Sequence, residues 1–295
     1  MAADAPRSLC SVGATLGEGP VWVARDAALW FVDIKESRLH RFHPETEVLT
    51  SWTAPAAPGW VLPSADGAMI CGLKTGLHRF GPEGFSLLAE VEAHLPGNRL
   101  NDATVDHRGG LWFGSMDDAE DRPTGQVYHY ADGDVRTVSL EPVTITNGPA
   151  LSPDGRTLYH VDTLGGAIHA VTLESGRETV EARLFATIDP ADGYPDGPTV
   201  DAEGCLWIGL FGGWGVRRYD PAGRLMEVVR FPVANVTKIA FGGDDLRTAF
   251  ATTARKGLDA AALAAQPLAG DLFSFDPGVA GLPTHMIARG ETVPL

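Results

Sequence analysis

The chain has 295 residues, 44% apolar and 21% charged, with 38 Asp and Glu against 23 Lys and Arg, a formal net charge of −15. So acidic a surface repels phosphate backbones, and no Lys/Arg cluster opposes it, so nucleic acid is excluded as a partner. No apolar run approaches the roughly 18 residues that span a bilayer. The start MAADAPRSLC lacks the basic and apolar regions of a secretory signal, and Cys10, Cys71 and Cys205 are too scattered for a disulfide framework or a zinc finger. The expectation is a cytoplasmic protein with reduced thiols and no membrane partner.

In chain order, SLCSVGAT at 8–15 reads as a strand without a neighbour. Six similar units follow, each led by an apolar central strand: LWFVDI at 29–34, LWFGSM at 111–116, LYHVDT at 158–163 and LWIGLF at 206–211 are four of them. The second residues of the six central strands are Trp30, Ile70, Trp112, Tyr159, Trp207 and Phe250, separated by 40, 42, 47, 48 and 43 residues. A four-stranded propeller blade repeats every ~40–50 residues. Asp66-Gly67, Arg108-Gly109-Gly110, Asp154-Gly155, Glu203-Gly204 and Gly243-Asp244-Asp245 precede central strands as hairpin turns. Recurrence at the hairpin assigns their Asp residues to turn chemistry rather than metal binding. A second hairpin follows each central strand, as in RLHRFHPETEVLTSWTA and VRRYDPAGRLMEVVRFPV, alternating apolar and polar residues. Helical periodicity appears only in GLDAAALAAQPLAG at 257–270. The last unit offers a third strand, DLFSFDP at 271–277, and lacks an obvious fourth, which the segment 8–15 can supply. The fold expected is all-β: a six-bladed β-propeller of four-stranded antiparallel blades, one domain over 1–295, its ring closed by the N-terminal strand. The 35 Gly and 21 Pro, spread along the chain, suit many short strands and turns.

One polar residue recurs in a fixed phase of this repeat. Glu18, Asn101, Asn147 and Asp196 precede Trp30, Trp112, Tyr159 and Trp207 by 12, 11, 12 and 11 residues. In a propeller such positions start the innermost strands and converge on the channel. One Asn or Glu there usually only ties strand starts together, but carboxylates clustered in one channel repel unless a cation lies between them. Glu18, Asn147 and Asp196 form an all-oxygen set suited to Ca²⁺, Mg²⁺ or Mn²⁺, with Fe²⁺ also compatible and Zn²⁺ less selectively held. No nucleophile elbow, H-E-x-x-H, P-loop or G-x-G-x-x-G occurs. His40 and His43 fall on opposite strand faces and read as blade histidines. The seven Trp mostly fall in the repeating strands and read as core, whereas Trp60 and Trp214 lie near loop or strand starts and are candidates to line a pocket.

Longer stretches carry a resemblance. LGEGPVW at 16–22, NRLNDATVDHRGGLWFGSMD at 98–117, TNGPALSPDGRTLYHVDT at 146–163, YPDGPTVDAEGCLWIGL at 194–210 and VTKIAFGGDDLRTAFATTARKGLD at 236–259 resemble the SMP-30/gluconolactonase/regucalcin family. NDATVD, GLKTGLHRF and TTARKGL place the wording nearer its bacterial pentonolactonases than its animal members. The resemblance implies one divalent metal ion held by Glu18, Asn147 and Asp196, and substrate contacts from Arg99 and Asn101. It leaves an acidic substrate contact unassigned among Asp117, Asp118, Glu120 and Asp121. The activity implied is hydrolysis of a sugar lactone, a small-molecule partner, with Asp196 as catalytic base. Fe²⁺, Mn²⁺, Zn²⁺, Ca²⁺ and Mg²⁺ remain open as the metal, as does the oligomeric state. Rival readings are a metal-binding regulatory protein without turnover, a phosphotriesterase-like hydrolase, and an interaction scaffold.

Overall fold

The turn glycines and alternating strands close six antiparallel sheets of four strands each. The computed structural model of the protein describes residues 5–174 and 178–288. Blade one runs from channel to rim as Gly17–Val23, Ala28–Asp33, Arg38–His43 and Val48–Thr53. The inner strands of blades two to six are Pro58–Pro63, Asn98–Val105, Thr146–Leu151, Tyr194–Val200 and Val236–Gly242. Each inner strand touches the next, and blade one meets blade six, so the ring is complete. Blade six finishes with Leu272–Phe275 and then Arg7–Cys10, with Ser8 opposite Phe273. The closing strand is thus the expected N-terminal one, shorter than 8–15 and starting one residue earlier. Joining the two chain ends in one blade also covers an edge that would otherwise be free to pair.

The repeat anchors Trp30, Ile70, Trp112, Tyr159, Trp207 and Phe250 are all buried between blades. A buried indole usually finds a partner for its N–H. Trp30, Trp112 and Trp207 donate to Asp26, Asp106 and Asp201 at 2.9, 3.0 and 2.9 Å. Asp201 also accepts from the turn amides of Glu203 and Cys205, and Asp154 from that of Arg156. Hairpin aspartates therefore hold turns and core indoles.

The helix is Ala260–Ala265, shorter than the periodic stretch 257–270. Asp259 caps its start by accepting from the Ala262 amide at 2.8 Å, and Pro267 blocks its continuation. His40 is buried against Phe31 and bonded to Ser51, while His43 is half-buried. All three cysteines are free, and no helix among the described residues is long and apolar enough to cross a membrane.

Candidate functional site

Four of the six inner strands break their ladder directly after the in-phase residue. Register shifts fall between Glu18 and Val21, Leu100 and Ala103, Asn147 and Ala150, and Asp196 and Thr199. In three of them a Gly-Pro pair makes the break: Gly19, Gly148 and Gly197 take positive φ, and the following proline has no N–H for the ladder. A bulge re-aims the side chain beside it. The close approach matters too, since a Cβ on Gly197 would sit 2.4 Å from Cβ of Lys238, and one on Gly148 2.8 Å from Cγ of Pro198.

Glu18, Asn147, Asp196, Asn101 and Arg99 are all buried. The Asn101 amide donates to the Thr146 carbonyl (2.6 Å) and to Asn147 Oδ1 (3.3 Å), while its own Oδ1 accepts from Arg99 (2.6 Å). Asn147 Nδ2 donates to Thr163 Oγ1 (2.9 Å), which donates on to the Pro195 carbonyl next to Asp196 (3.0 Å). This relay fixes the Asn147 amide with its nitrogen turned to Thr163, leaving Oδ1 as the outward acceptor. The two carboxylates have little protein support. Glu18 accepts from the Gly19 amide (2.9 Å) and Asp196 from the Gly197 amide (3.0 Å), each its own neighbour.

Their electrostatics follow. Burial, then the charges of Asp196 and Asp102, hold Glu18 well above the usual carboxylate range. Burial drives Asp196 up to about 7, against the Gly197 amide and with Asp102 adding to the rise. No group of three or more His, Cys, Asp or Glu among the described residues forms a metal cluster by itself. The donor set instead contains two buried, mutually repelling carboxylates and one amide oxygen, and this hard, under-neutralised set fits a divalent cation. The cation-free protein retains protons here that the unfolded chain has already released. Its stability should therefore fall as pH rises from about 4 to about 7, by roughly 2–4 kcal/mol from Asp196. Melting of chelator-treated protein at pH 5 and pH 8 checks this, with added divalent cation restoring the loss at pH 8. An unchanged or higher melting temperature at pH 8 before addition contradicts it.

Two buried charged residues beside this set carried no signal legible in the sequence analysis. Asp102 and Lys238 are buried and paired at 2.5 Å, and Asp102 also accepts from the amides of Ala103 and of Gly148, which follows Asn147. By register both stand one residue past the in-phase position, where blades one, four and five carry Gly19, Gly148 and Gly197. Blades three and six face each other across the ring, so the pair bridges the channel. Beyond it, a separate cavity of about 320 Å³ opens at the opposite end, lined by Trp22, Trp60, Phe241 and other residues. Trp60 thus lines a cavity, as expected, but the one on the far side of the bridge. Trp214 is 42% exposed in the loop after Leu206–Phe211.

The acidic segment after Gly114-Ser115-Met116 sorts by contact. Asp117 is buried and accepts from Arg122 and from the Asp121 amide, anchoring its own loop. Asp118 accepts from Lys35 (3.0 Å), Lys74 (3.2 Å) and Arg99 (3.1 Å), and Glu120 pairs with Lys256. Burial raises the Asp118 carboxyl, but Lys35, Arg99 and Lys74 overcome that and hold it at about 2.

A family model described as SMP-30/Gluconolactonase/LRE-like region matches residues 16–255. Over 280 residues the chain is 35% identical to an L-arabinolactonase of Azospirillum brasilense, covering 93% of this chain and 92% of that protein. It is 32% identical to a 6-deoxy-6-sulfogluconolactonase of Pseudomonas putida, covering 92% and 95%. Among solved structures, a calcium-binding protein, regucalcin, from Agrobacterium tumefaciens superposes with a TM-score of 0.92 at 31% identity, covering 96% of this chain and 97% of the other.

Proposed function

The chain belongs to the SMP-30/gluconolactonase/LRE-like family, and we propose that it hydrolyses a sugar aldonolactone to the aldonic acid with one divalent metal ion held by Glu18, Asn147 and Asp196. The observation that carries this reading is the pair of buried, under-neutralised carboxylates beside the Asn147 amide, one hydrogen bond from the Arg99–Asn101 pair. The similarity to an arabinolactonase and to a sulfogluconolactonase supports a lactone as substrate. A pentonolactone is the finer reading, drawn from the wording of the motifs.

A divalent cation held by Glu18, Asn147 and Asp196 would supply Lewis acidity to the lactone carbonyl and to a water molecule. Asp196 accepts the proton of the attacking water on a carboxylate oxygen. Glu18 and Asn147 hold the ligand oxygens in place, the latter through the Thr163 relay. Arg99, fixed by Asn101 Oδ1, presents its remaining donors to the sugar hydroxyls. Water attacks directly, so no covalent intermediate is needed, in keeping with the missing nucleophile motif.

The test is a lactone panel against chelated protein reconstituted with Fe²⁺, Mn²⁺, Zn²⁺, Ca²⁺ or Mg²⁺. Hydrolysis that returns with a cation supports the reading, and activity indifferent to chelation contradicts it. Binding without turnover would favour the second reading, a cation-binding role like that of the calcium-binding regucalcin of Agrobacterium tumefaciens. Arg99→Ala is expected to raise KM about tenfold or more with a smaller change in kcat. Metal content should be unchanged, because Arg99 bonds Asn101 and Asp118 rather than the proposed ligands. A fall in kcat at constant KM would instead place Arg99 in the chemical step.

A further inference from the structure

In each blade the proposed ligand end of the inner strand pairs with the end of the second strand: Gly17 with Asp33, Pro58 with Leu73, Asn98 with Asp117, Thr146 with Asp162, Tyr194 with Phe211, Val236 with Thr253. The loops that follow therefore emerge around this mouth of the channel, carrying Lys35, Lys74, Asp118, Trp214 and Lys256. Three of them, from blades one, two and three, meet at one carboxylate. Lys35, Lys74 and Arg99 all donate to Asp118 within 3.0–3.2 Å. Glu36, beside Lys35, is instead bonded to Thr15 Oγ1 (2.9 Å), and Glu120 is taken by Lys256.

The charges of Glu18 and Glu120 also act on Arg99, so the surplus on a chain whose net charge is −15 rests with Lys35 and Lys74, which share the single carboxylate of Asp118. Holding like charges together is unfavourable, and partly exposed ion pairs return little stability for it. Lys35 and Lys74 remain 32% and 36% exposed, so an incoming molecule reaches them, while Arg99 is 3% exposed and ties the hub to Asn101. Tyr194 and Trp214 add exposed aromatic surface at the same end, on blade five. The hub is joined to the proposed ligand set by hydrogen bonds that run from Asp118 through Arg99 and Asn101 to Asn147.

We propose that the Lys35–Lys74–Arg99 hub is an anion subsite, and that the preferred lactone carries a carboxylate, sulfonate or phosphate at the end away from its ring carbonyl. This rests on the lactonase reading for the ring chemistry and adds a charged group to the pentono- or hexonolactone it acts on. Asp118 keeps the three cations together when the subsite is empty, and an arriving anion takes the surplus donors by charge-assisted hydrogen bonds. The convergent positive field also steers an anionic substrate into the mouth of an otherwise repelling molecule.

Two measurements test the subsite separately from the reaction. With cation-reconstituted protein, kcat/KM for glucono-1,5-lactone is compared with that for its 6-phospho and 6-sulfo counterparts and for a glucarolactone. The anionic members should be preferred by about tenfold or more at low salt, the preference shrinking at high salt. In the Lys35→Gln/Lys74→Gln double variant the preference ratio should fall to within about threefold of unity. The three anions distinguish which terminal group the hub takes. Calorimetry of 6-phosphogluconate against gluconate, on wild type and double variant, reads the same discrimination without turnover. Equal binding and equal kcat/KM for charged and uncharged members, or a preference that survives the double variant, overturns the subsite. Tighter binding of 6-phosphogluconate, lost in the variant, with no lactone hydrolysed, sustains the subsite and overturns the lactonase reading instead.

Discussion

Asp196→Asn should cut kcat by about 10²–10⁴-fold while the protein still takes up its cation. An amide oxygen can replace one ligand oxygen, as Asn147 does in the proposed set, but it cannot accept a proton from water at neutral pH. The variant also makes a second, opposite change. Asp196 is buried, raised to about 7 and supported by one neighbouring amide, so removing its charge relieves repulsion with Glu18 and Asp102. The cation-free variant should therefore melt higher than cation-free wild type at pH 8, with little difference at pH 5. Activity falling while apo stability rises separates a functional carboxylate from one that holds the fold. Metal content and kcat are measured on the same sample. If fully metallated Asp196→Asn turns over within about threefold of wild type, the proton goes to another acceptor.

The sequence made the propeller legible because a blade is a local unit. Its turn glycines, alternating strands and buried aromatic recur every ~40–50 residues, so period alone counts the blades. The same period exposed Glu18, Asn101, Asn147 and Asp196, since bulges at equivalent inner-strand positions leave a fixed offset to Trp30, Trp112, Tyr159 and Trp207. Asp102 and Lys238 lie at the next position of the same phase, and their signal was a charged residue where blades one, four and five carry Gly-Pro and blade two carries Trp60. That signal means little without knowing that these blades oppose one another, because the two residues are 136 positions apart. Asp118 was hidden for a related reason. Nothing local separates it from Asp117, Glu120 and Asp121. Its role is set by lysines in two other blades, and only ring closure brings Lys35 and Lys74 to it. The helix Ala260–Ala265 is shorter than the stretch 257–270 because Asp259 caps its start and Pro267 stops it.

Lys238→Met should destabilise the protein by about 3–5 kcal/mol, the usual cost of leaving one partner of a buried ion pair uncompensated. Met is close in length and keeps the aliphatic stem packed over Gly197, so loss of charge rather than loss of volume dominates. The stranded carboxylate is Asp102, buried and already raising both Glu18 and Asp196. With Lys238 gone, three carboxylates share the channel without the ammonium that offset them. Pairing the change with Asp102→Asn removes the excess charge and preserves an acceptor for the Gly148 amide, so the double variant should regain most of the loss. Chemical denaturation of the two singles and the double gives the coupling directly. A double variant no more stable than Lys238→Met would mean that the lysine acts through packing alone. The cation supplies a second discriminator. Because the added negative charge lies beside the proposed ligands, a divalent ion should restore more stability to Lys238→Met than it adds to wild type. Equal gains in both would place Asp102 outside the field of the bound ion, and the bridge would then be a structural plug between the proposed ligand set and the far cavity rather than part of the electrostatics of the site.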